Sequence, residues 1–285
     1  MSPSQSSGAR SDSARPDSLD DEREDPTITF VPTRYIPHWD VCGMSDPGKV
    51  RRINEDAWLV HPSAPLWLVA DGMGGHTKGD LASSSIARAF TQLVLPDRLS
   101  ACADVVESTL IELNDRFRSL ANHGRDGETI GSTLVLLLAR GHHALFMWVG
   151  DSRLYRCRGG QFEQLSQDHS QVEELVSQGL LASELAEMHP AANVVTRAVG
   201  AADELYVDLD YRPVQAGDRF LLCSDGLTKE VPEPELAALL RQHGDASTIC
   251  RSLLERALSG TARDNVSVVV VVAGPGAGPG VVPRS

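Results

Sequence analysis

Apolar side chains recur along this chain in two rhythms, and the two predict different elements. Short continuous or alternating runs predict strands over Ala57 to Val60, Leu66 to Ala70, Ser132 to Ala139, Ala144 to Val149, Leu154 to Cys157, Leu205 to Leu209, Arg219 to Cys223 and Val266 to Val272. A spacing of three to four residues predicts helices over Asp80 to Leu95, Asp104 to Leu120, Gln171 to Gln178, Glu233 to Arg241 and Ala246 to Leu258. The helices cluster after the second strand and near the end. The strands between 132 and 157 read as consecutive antiparallel neighbours. This order predicts an α+β fold with helices packed on sheets rather than a repeating βαβ wind.

The ends read differently from the body. Residues 1 to 26 are rich in Ser, Asp, Arg and Pro with few apolar side chains, the pattern of a disordered acidic tail. Residues 274 to 285 open Gly-Pro-Gly-Ala-Gly-Pro-Gly and read as a second flexible end, which leaves 38–273 as one catalytic-sized domain. No internal repeat stands out between the tails.

Charge narrows the choice of partner. The 285 residues carry 26 Lys plus Arg against 39 Asp plus Glu, a formal net charge of −13, the wrong sign for nonspecific binding to nucleic acid or an anionic membrane. The tail holds −4 of this and the remaining chain −9, so the acidity belongs mainly to the body. Apolar runs such as Leu134 to Ala139 fall far short of the roughly 18 residues that suggest a membrane span. The five cysteines are scattered with no close pair, and the N-terminus is polar and acidic. Both predict a cytoplasmic protein without a signal peptide, disulfide framework or zinc site.

The chemistry sits at strand ends. In four places an Asp beside Gly, Ser or Asn stands at one end of an apolar run: Ala70-Asp71-Gly72, Gly150-Asp151-Ser152-Arg153, Ser224-Asp225-Gly226 and Asp264-Asn265-Val266. Asn54-Glu55-Asp56 precedes another strand. Any single Asp-Gly is an ordinary turn former. Four such endings on rigid elements instead predict carboxylates converging at one rim, where they repel unless a cation lies between them. Oxygen-only ligands suit Mg²⁺ or Mn²⁺ rather than zinc. Gly72, lacking a Cβ, would let its carbonyl turn toward the same ion.

The ordered string Ser45-Asp46-Pro47-Gly48-Lys49-Val50-Arg51 with Asn54-Glu55-Asp56, Asp71-Gly72-Met73-Gly74-Gly75-His76, Gly131-Ser132-Thr133, Gly150-Asp151-Ser152-Arg153, Ser224-Asp225-Gly226-Leu227 and Asp264-Asn265-Val266-Ser267 resembles the protein phosphatase 2C family of metal-dependent Ser/Thr phosphatases. The resemblance covers about residues 40 to 273, and Met73, where animal members carry His, is similar to the bacterial branch. It implies a four-layered αββα sandwich of two central, mainly antiparallel sheets flanked by helices. It further implies a centre of two Mn²⁺ or Mg²⁺ ions, with Asp71 bridging them, the Gly72 carbonyl on one, and Asp225 and Asp264 completing the other. Asp56 and Glu55 would help through bound water or from behind the ligands, as would Asn265, and Asp151 would hold a weaker third ion. Arg51 matches the family's phosphate-binding Arg, whose fork suits a tetrahedral oxyanion. A water bridging two such ions becomes hydroxide near neutral pH and attacks phosphate in line, with no phosphoenzyme. Arg51, Asp71 and Asp225 are thus the expected catalytic residues. With Met73 in place, metal-bound water or His76 would protonate the leaving oxygen, and His76 reads rather as a turn residue. The segment from Asp168-His169-Ser170 through His189-Pro190 to Arg197 and Gly200 resembles the bacterial flap bordering the cleft, outside the chemistry.

The expected substrates are phosphoserine and phosphothreonine proteins, opposed by a Ser/Thr kinase. The stretch from Ile130 to Asp151 is similar to phosphatases that accompany bacterial type VI secretion and reverse a threonine kinase. The alternative is a catalytically silent relative acting as a regulatory binding module. Other patterns lead elsewhere. Cys250 and Arg256 have the spacing of cysteine phosphatases but lie in a helical pattern without glycine. Asp208-Leu209-Asp210 reads as an alternating strand, because Arg212 stands where an aspartate-nucleophile motif wants Thr or Val. Adjacent His142 and His143 would point to opposite faces, and Asn265-Val266-Ser267 is a glycosylation sequon by chance.

Overall fold

The computed structural model describes residues 38–74, 78–123, 129–182, 185–186, 189–192 and 194–275. The expected tail 1–26, most of 274–285, and His76 lie outside them. Eleven strands and six helices follow in the order β1 Trp39–Asp46, β2 Asp56–Val60, β3 Leu66–Met73, α1 Lys78–Thr91, α2 Leu99–Asn122, β4 Gly131–Ser132, β5 Leu134–Arg140, β6 His143–Val149, β7 Arg153–Arg158, β8 Gln161–Gln164, α3 Gln171–Ser177, β9 Asp208–Pro213, β10 Arg219–Cys223, α4 Asp225–Glu230, α5 Glu233–Arg241, α6 Ala246–Ser259 and β11 Val266–Ala273. One sheet runs β1-β11-β10-β7-β8 and the other β2-β3-β5-β6-β9, with β4 paired to β3. Every described pair is antiparallel.

The continuous apolar runs are explained by burial on both faces. Along β3, Trp67 and Val69 face the layer between the sheets, where they meet Phe146, Leu154, Phe220, Leu222, Val269 and Val271. Leu66, Leu68 and Ala70 face the other way, against Ile86 and Phe90 of α1 and Val106, Leu110 and Phe117 of α2. The first sheet's outer face, with Tyr155, Leu221, Val268 and Val270, packs on Leu236 and Leu240 of α5 and Ile249, Cys250 and Leu253 of α6. The result is the expected four-layered αββα sandwich of two antiparallel sheets. At about 1.5–3 kcal/mol per fully buried large apolar side chain, these three layers dominate the stabilisation. Asp245 caps α6 by accepting from the Thr248 amide at 2.8 Å. Among the described residues no helix is long and apolar enough to cross a membrane.

Several expectations need correction. β7 does not continue the β5–β6 meander: it pairs with β10 and β8, so the chain changes sheet at Gly150-Asp151-Ser152. Gly150 permits this with φ +107°, a region that penalises side chains. The run Ser132 to Ala139 breaks at Thr133, whose amide and hydroxyl are both taken by the Asp71 backbone. The strand expected over Leu205 to Leu209 begins at Asp208, because Leu205 and Val207 pack instead onto the α1–α2 core. β1 and β8 escape the pattern because neither has an alternating buried face of useful length. α4 was hidden in Asp225-Gly226, which reads locally as a turn.

Candidate active site

β3, the β6–β7 crossing, the end of β10 and the start of β11 come from both sheets and meet at one rim. There a cavity of about 540 Å³ is lined by Arg51, Glu55, Asp71, Gly72, Asp151, Asp225, Asp264 and Asn265 among others. Asp56 sits directly across the β2–β3 ladder from Asp71. All nine residues singled out in the sequence therefore gather at one place, although they span more than 200 positions.

Backbone hydrogen bonds fix the acids. The Asp71 amide donates to Thr133 Oγ1 at 3.1 Å, the Thr133 amide returns a bond to the Asp71 carbonyl at 2.8 Å, and the Ser132 hydroxyl donates to that carbonyl at 3.0 Å. Asp56 accepts from the Ser224 hydroxyl at 2.7 Å, which ties β2 to the residue preceding Asp225. Asn265 accepts from the Glu55 amide at 2.8 Å and donates at 3.0 Å to the carbonyls of both Pro47 and Ile53. It pins the loop that carries Arg51. His169 holds the Asp151 turn, donating its amide to the Gly150 carbonyl at 2.9 Å and accepting the Gly150 amide on Nδ1 at 3.0 Å.

Gly72 is required for close packing, whatever its carbonyl does. A Cβ there would stand 2.1 Å from the Gly79 carbonyl oxygen and 2.6 Å from that of Glu55, so the end of β3 and the first turn of α1 pack too closely for a side chain. Its φ is not in the left-handed region.

The electrostatics are those of a site built for cations. Burial first, and then the charges of Asp56, Asp225, Asp151 and Asp264, hold the Asp71 carboxyl well above the usual carboxylate range. Burial pushes Asp56 up to about 7 against the hydrogen bonds of Ser224 and Ser267. Burial and then Asp225 and Asp168 push Asp151 to about 7. Asp225 is raised by burial although Lys229 opposes it. Glu55 Oε1, Asp56 Oδ1 and Asp225 Oδ1 are buried without any hydrogen-bond partner. Such orphaned oxygens are costly, and an oxygen-only donor set of this kind fits a hard divalent ion. Among the described residues no three His, Cys, Asp or Glu side chains close tightly enough to form a finished metal shell. Instead Arg51 reaches Asp264 Oδ1 at 2.9 Å, and Lys229 lies 2.5 Å from Asp225 Oδ2 and 3.2 Å from Asp264 Oδ2.

Residues 49–258 match the family model described as Protein phosphatase 2C. The chain belongs to the protein phosphatase 2C family. It is similar to the serine/threonine phosphatase stp of Listeria innocua, 34% identical over 80% of this chain and 93% of that protein. Among solved structures it is similar to PppA, described as a key regulatory component of T6SS in Pseudomonas aeruginosa, with 43% identity, a TM-score of 0.78 and coverage of 84% of this chain and 99% of that one. It is also similar to the catalytic domain of the serine/threonine protein phosphatase PstP in complex with two manganese ions, 32% identical with a TM-score of 0.72 over 83% of this chain and 98% of that one. This chain is a bacterial protein-serine/threonine phosphatase.

Lys229 was not marked in the sequence, because a lysine on a short helix reads as a solvated charge. Of the 168–200 segment expected outside the chemistry, Val194 and Val195 line the main cavity, and Asp168 and Glu173, with Arg153 of the Gly150-Asp151-Ser152-Arg153 motif, line an adjoining one of about 380 Å³ that shares Asp151, Asp225 and Lys229. Asp168 takes the Arg153 guanidinium with both oxygens, at 2.7 to 3.0 Å. The competing motifs fall away as expected. Cys250 is buried in the α6 face and Arg256 is paired with Glu235. Asp208 to Asp210 alternate in β9, and Asn265 is buried in hydrogen bonds.

Proposed function

We propose that this phosphatase hydrolyses phosphoserine and phosphothreonine in proteins at a centre of two Mn²⁺ or Mg²⁺ ions, with a weaker third. The single observation that carries this reading is the convergence of five acids, Glu55, Asp71, Asp151, Asp225 and Asp264, on one cavity that also holds Arg51, with Asp56 across the ladder from Asp71 and buried oxygens of Glu55, Asp56 and Asp225 left without hydrogen-bond partners. Asp71, Asp56, the Gly72 carbonyl, Asp225 and Asp264 would hold the pair, and Asp151 the third ion. When bound, the ions supply the Lewis acidity that activates water and neutralises charge on the phosphoryl group.

The chain's own residues do the rest. Arg51 presents a guanidinium fork on a loop fixed by Asn265, placed to bind and orient phosphoryl oxygens. The Asp71 backbone is locked to Thr133 and Ser132, so the carboxylate that would help hold the ions projects from a fixed main chain. Val194 and Val195 line one side of the cavity with apolar surface, Val194 exposed at its edge. Met73 has no proton to give, and among the described residues no histidine lines the cavity; water or His76, which lies outside the described residues, would protonate the departing oxygen.

The likeness to PppA supports a role in regulating a secretion system against an opposing Ser/Thr kinase, and the five free cysteines suit a reducing cytoplasm. The test is hydrolysis of a phosphothreonine peptide with Mn²⁺, Mg²⁺ or EDTA, wild type beside Asp71→Asn. Turnover should need metal and vanish in the variant. Equal turnover in EDTA would remove the dinuclear reading.

A further inference from the structure

The chain has three lysines, Lys49, Lys78 and Lys229, among 26 basic residues, and one of the three stands inside the acid cluster. Lys229 lies one helical turn after Asp225 on α4, so both side chains project from the same face toward the rim. Its ammonium takes Oδ2 of Asp225 at 2.5 Å and Oδ2 of Asp264 at 3.2 Å, bridging two acids that belong to different strand ends. It also forms part of the wall shared by the two cavities. Those two carboxylates are the pair assigned above to one divalent ion. An ammonium and a divalent ion cannot both neutralise the same two oxygens at contact distance without repelling each other.

We infer that Lys229 is a resident counter-ion which the second divalent ion must displace, so that this lysine sets the free metal concentration at which the enzyme loads. The inference rests on the dinuclear reading and goes beyond it. In the metal-free protein Lys229 relieves the repulsion between Asp225 and Asp264. On loading it gives up both oxygens and turns toward the partition between the cavities. The cost of breaking two ion pairs is subtracted from the intrinsic affinity for the ion, and the subtraction disappears when the ammonium is removed.

Acetylation of the wild-type enzyme, followed by mass spectrometry, reads the displacement directly. With only three lysines the assignment is clean. Lys229 should react several-fold faster in saturating Mn²⁺ than in EDTA, with Lys78 as the reference. Calorimetric titration with Mn²⁺ supplies the second readout: of the two tighter binding events, the weaker should tighten about tenfold in Lys229→Met and stay near wild type in Lys229→Arg. Equal acetylation with and without Mn²⁺, or a Lys229→Met protein that binds Mn²⁺ no more tightly, overturns the inference. If the wild type binds two ions that Asp71→Asn loses while Lys229→Met is unchanged, this inference alone fails. If the wild type takes up no Mn²⁺ at all, both readings fall together.

Discussion

Asn265 illustrates how much one neutral side chain can carry. Its three hydrogen bonds to the backbone of residues 47 to 55 leave no part of its amide unused except one lone pair, and they fasten the Arg51 loop to the start of β11. Asn265→Ala should therefore destabilise the protein by about 1–3 kcal/mol in urea unfolding, the cost of stranding buried backbone groups. It should also raise KM for a phosphopeptide, because Arg51 and Glu55 lose their anchor. A variant with full stability and unaltered KM would show that the loop holds itself. At this same scale the acids were readable from the residues alone and their companions were not: Asn265 entered only through the family resemblance, and Lys229 carried no mark at all. Their meaning depends on partners 35 to 218 positions away.

Helix α4 shows the same dependence at the scale of an element. It is six residues long and could not stand alone, since helices this short lack enough hydrogen bonds to offset nucleation. Packing on α6 and β11 holds it, with Leu227 and Val231 buried in the first sheet's outer core. Gly226 is what allows the approach: a Cβ there would lie 1.9 Å from the Asn265 carbonyl oxygen. Gly226→Ala should push α4 off the start of β11, costing about 1–3 kcal/mol or more of stability. Because Asp225 rides on the same turn, Mn²⁺ uptake in calorimetry should weaken in step. Retention of wild-type affinity and stability would mean that the backbone can yield without moving the carboxylate. Elements with periodic faces, such as α5, appear where the sequence predicts them, while β8 and α4 depend on neighbours for their existence.

For the molecule as a whole, the acidic cluster is a source of instability that pH and metal should both control. Asp56 and Asp151 stand near 7 and Asp71 is held well above the usual carboxylate range, so between about pH 4 and 7 these groups bind more protons in the folded protein than in the unfolded chain. The free energy of unfolding in EDTA must then fall as pH rises through that window. Melting of metal-free protein should occur several degrees higher at pH 5 than at pH 8, and saturating Mn²⁺ at pH 8 should recover the difference. A metal-free protein that is more stable at pH 8 would contradict the raised carboxyl values.

What the sequence by itself determined was the set of buried faces and the set of acids. Continuous apolar runs meant strands covered on both sides, which two central sheets satisfy, and the ordered acids with Arg51 carried the family resemblance. Only the tertiary structure decided that β7 leaves its neighbours for the other sheet, that Gly72 is needed for close packing against Gly79, and that Lys229 joins Asp225 to Asp264. Periodicity along a chain records whether a face is buried. It does not record which distant residue lies against that face, because that choice is made when the two sheets pack.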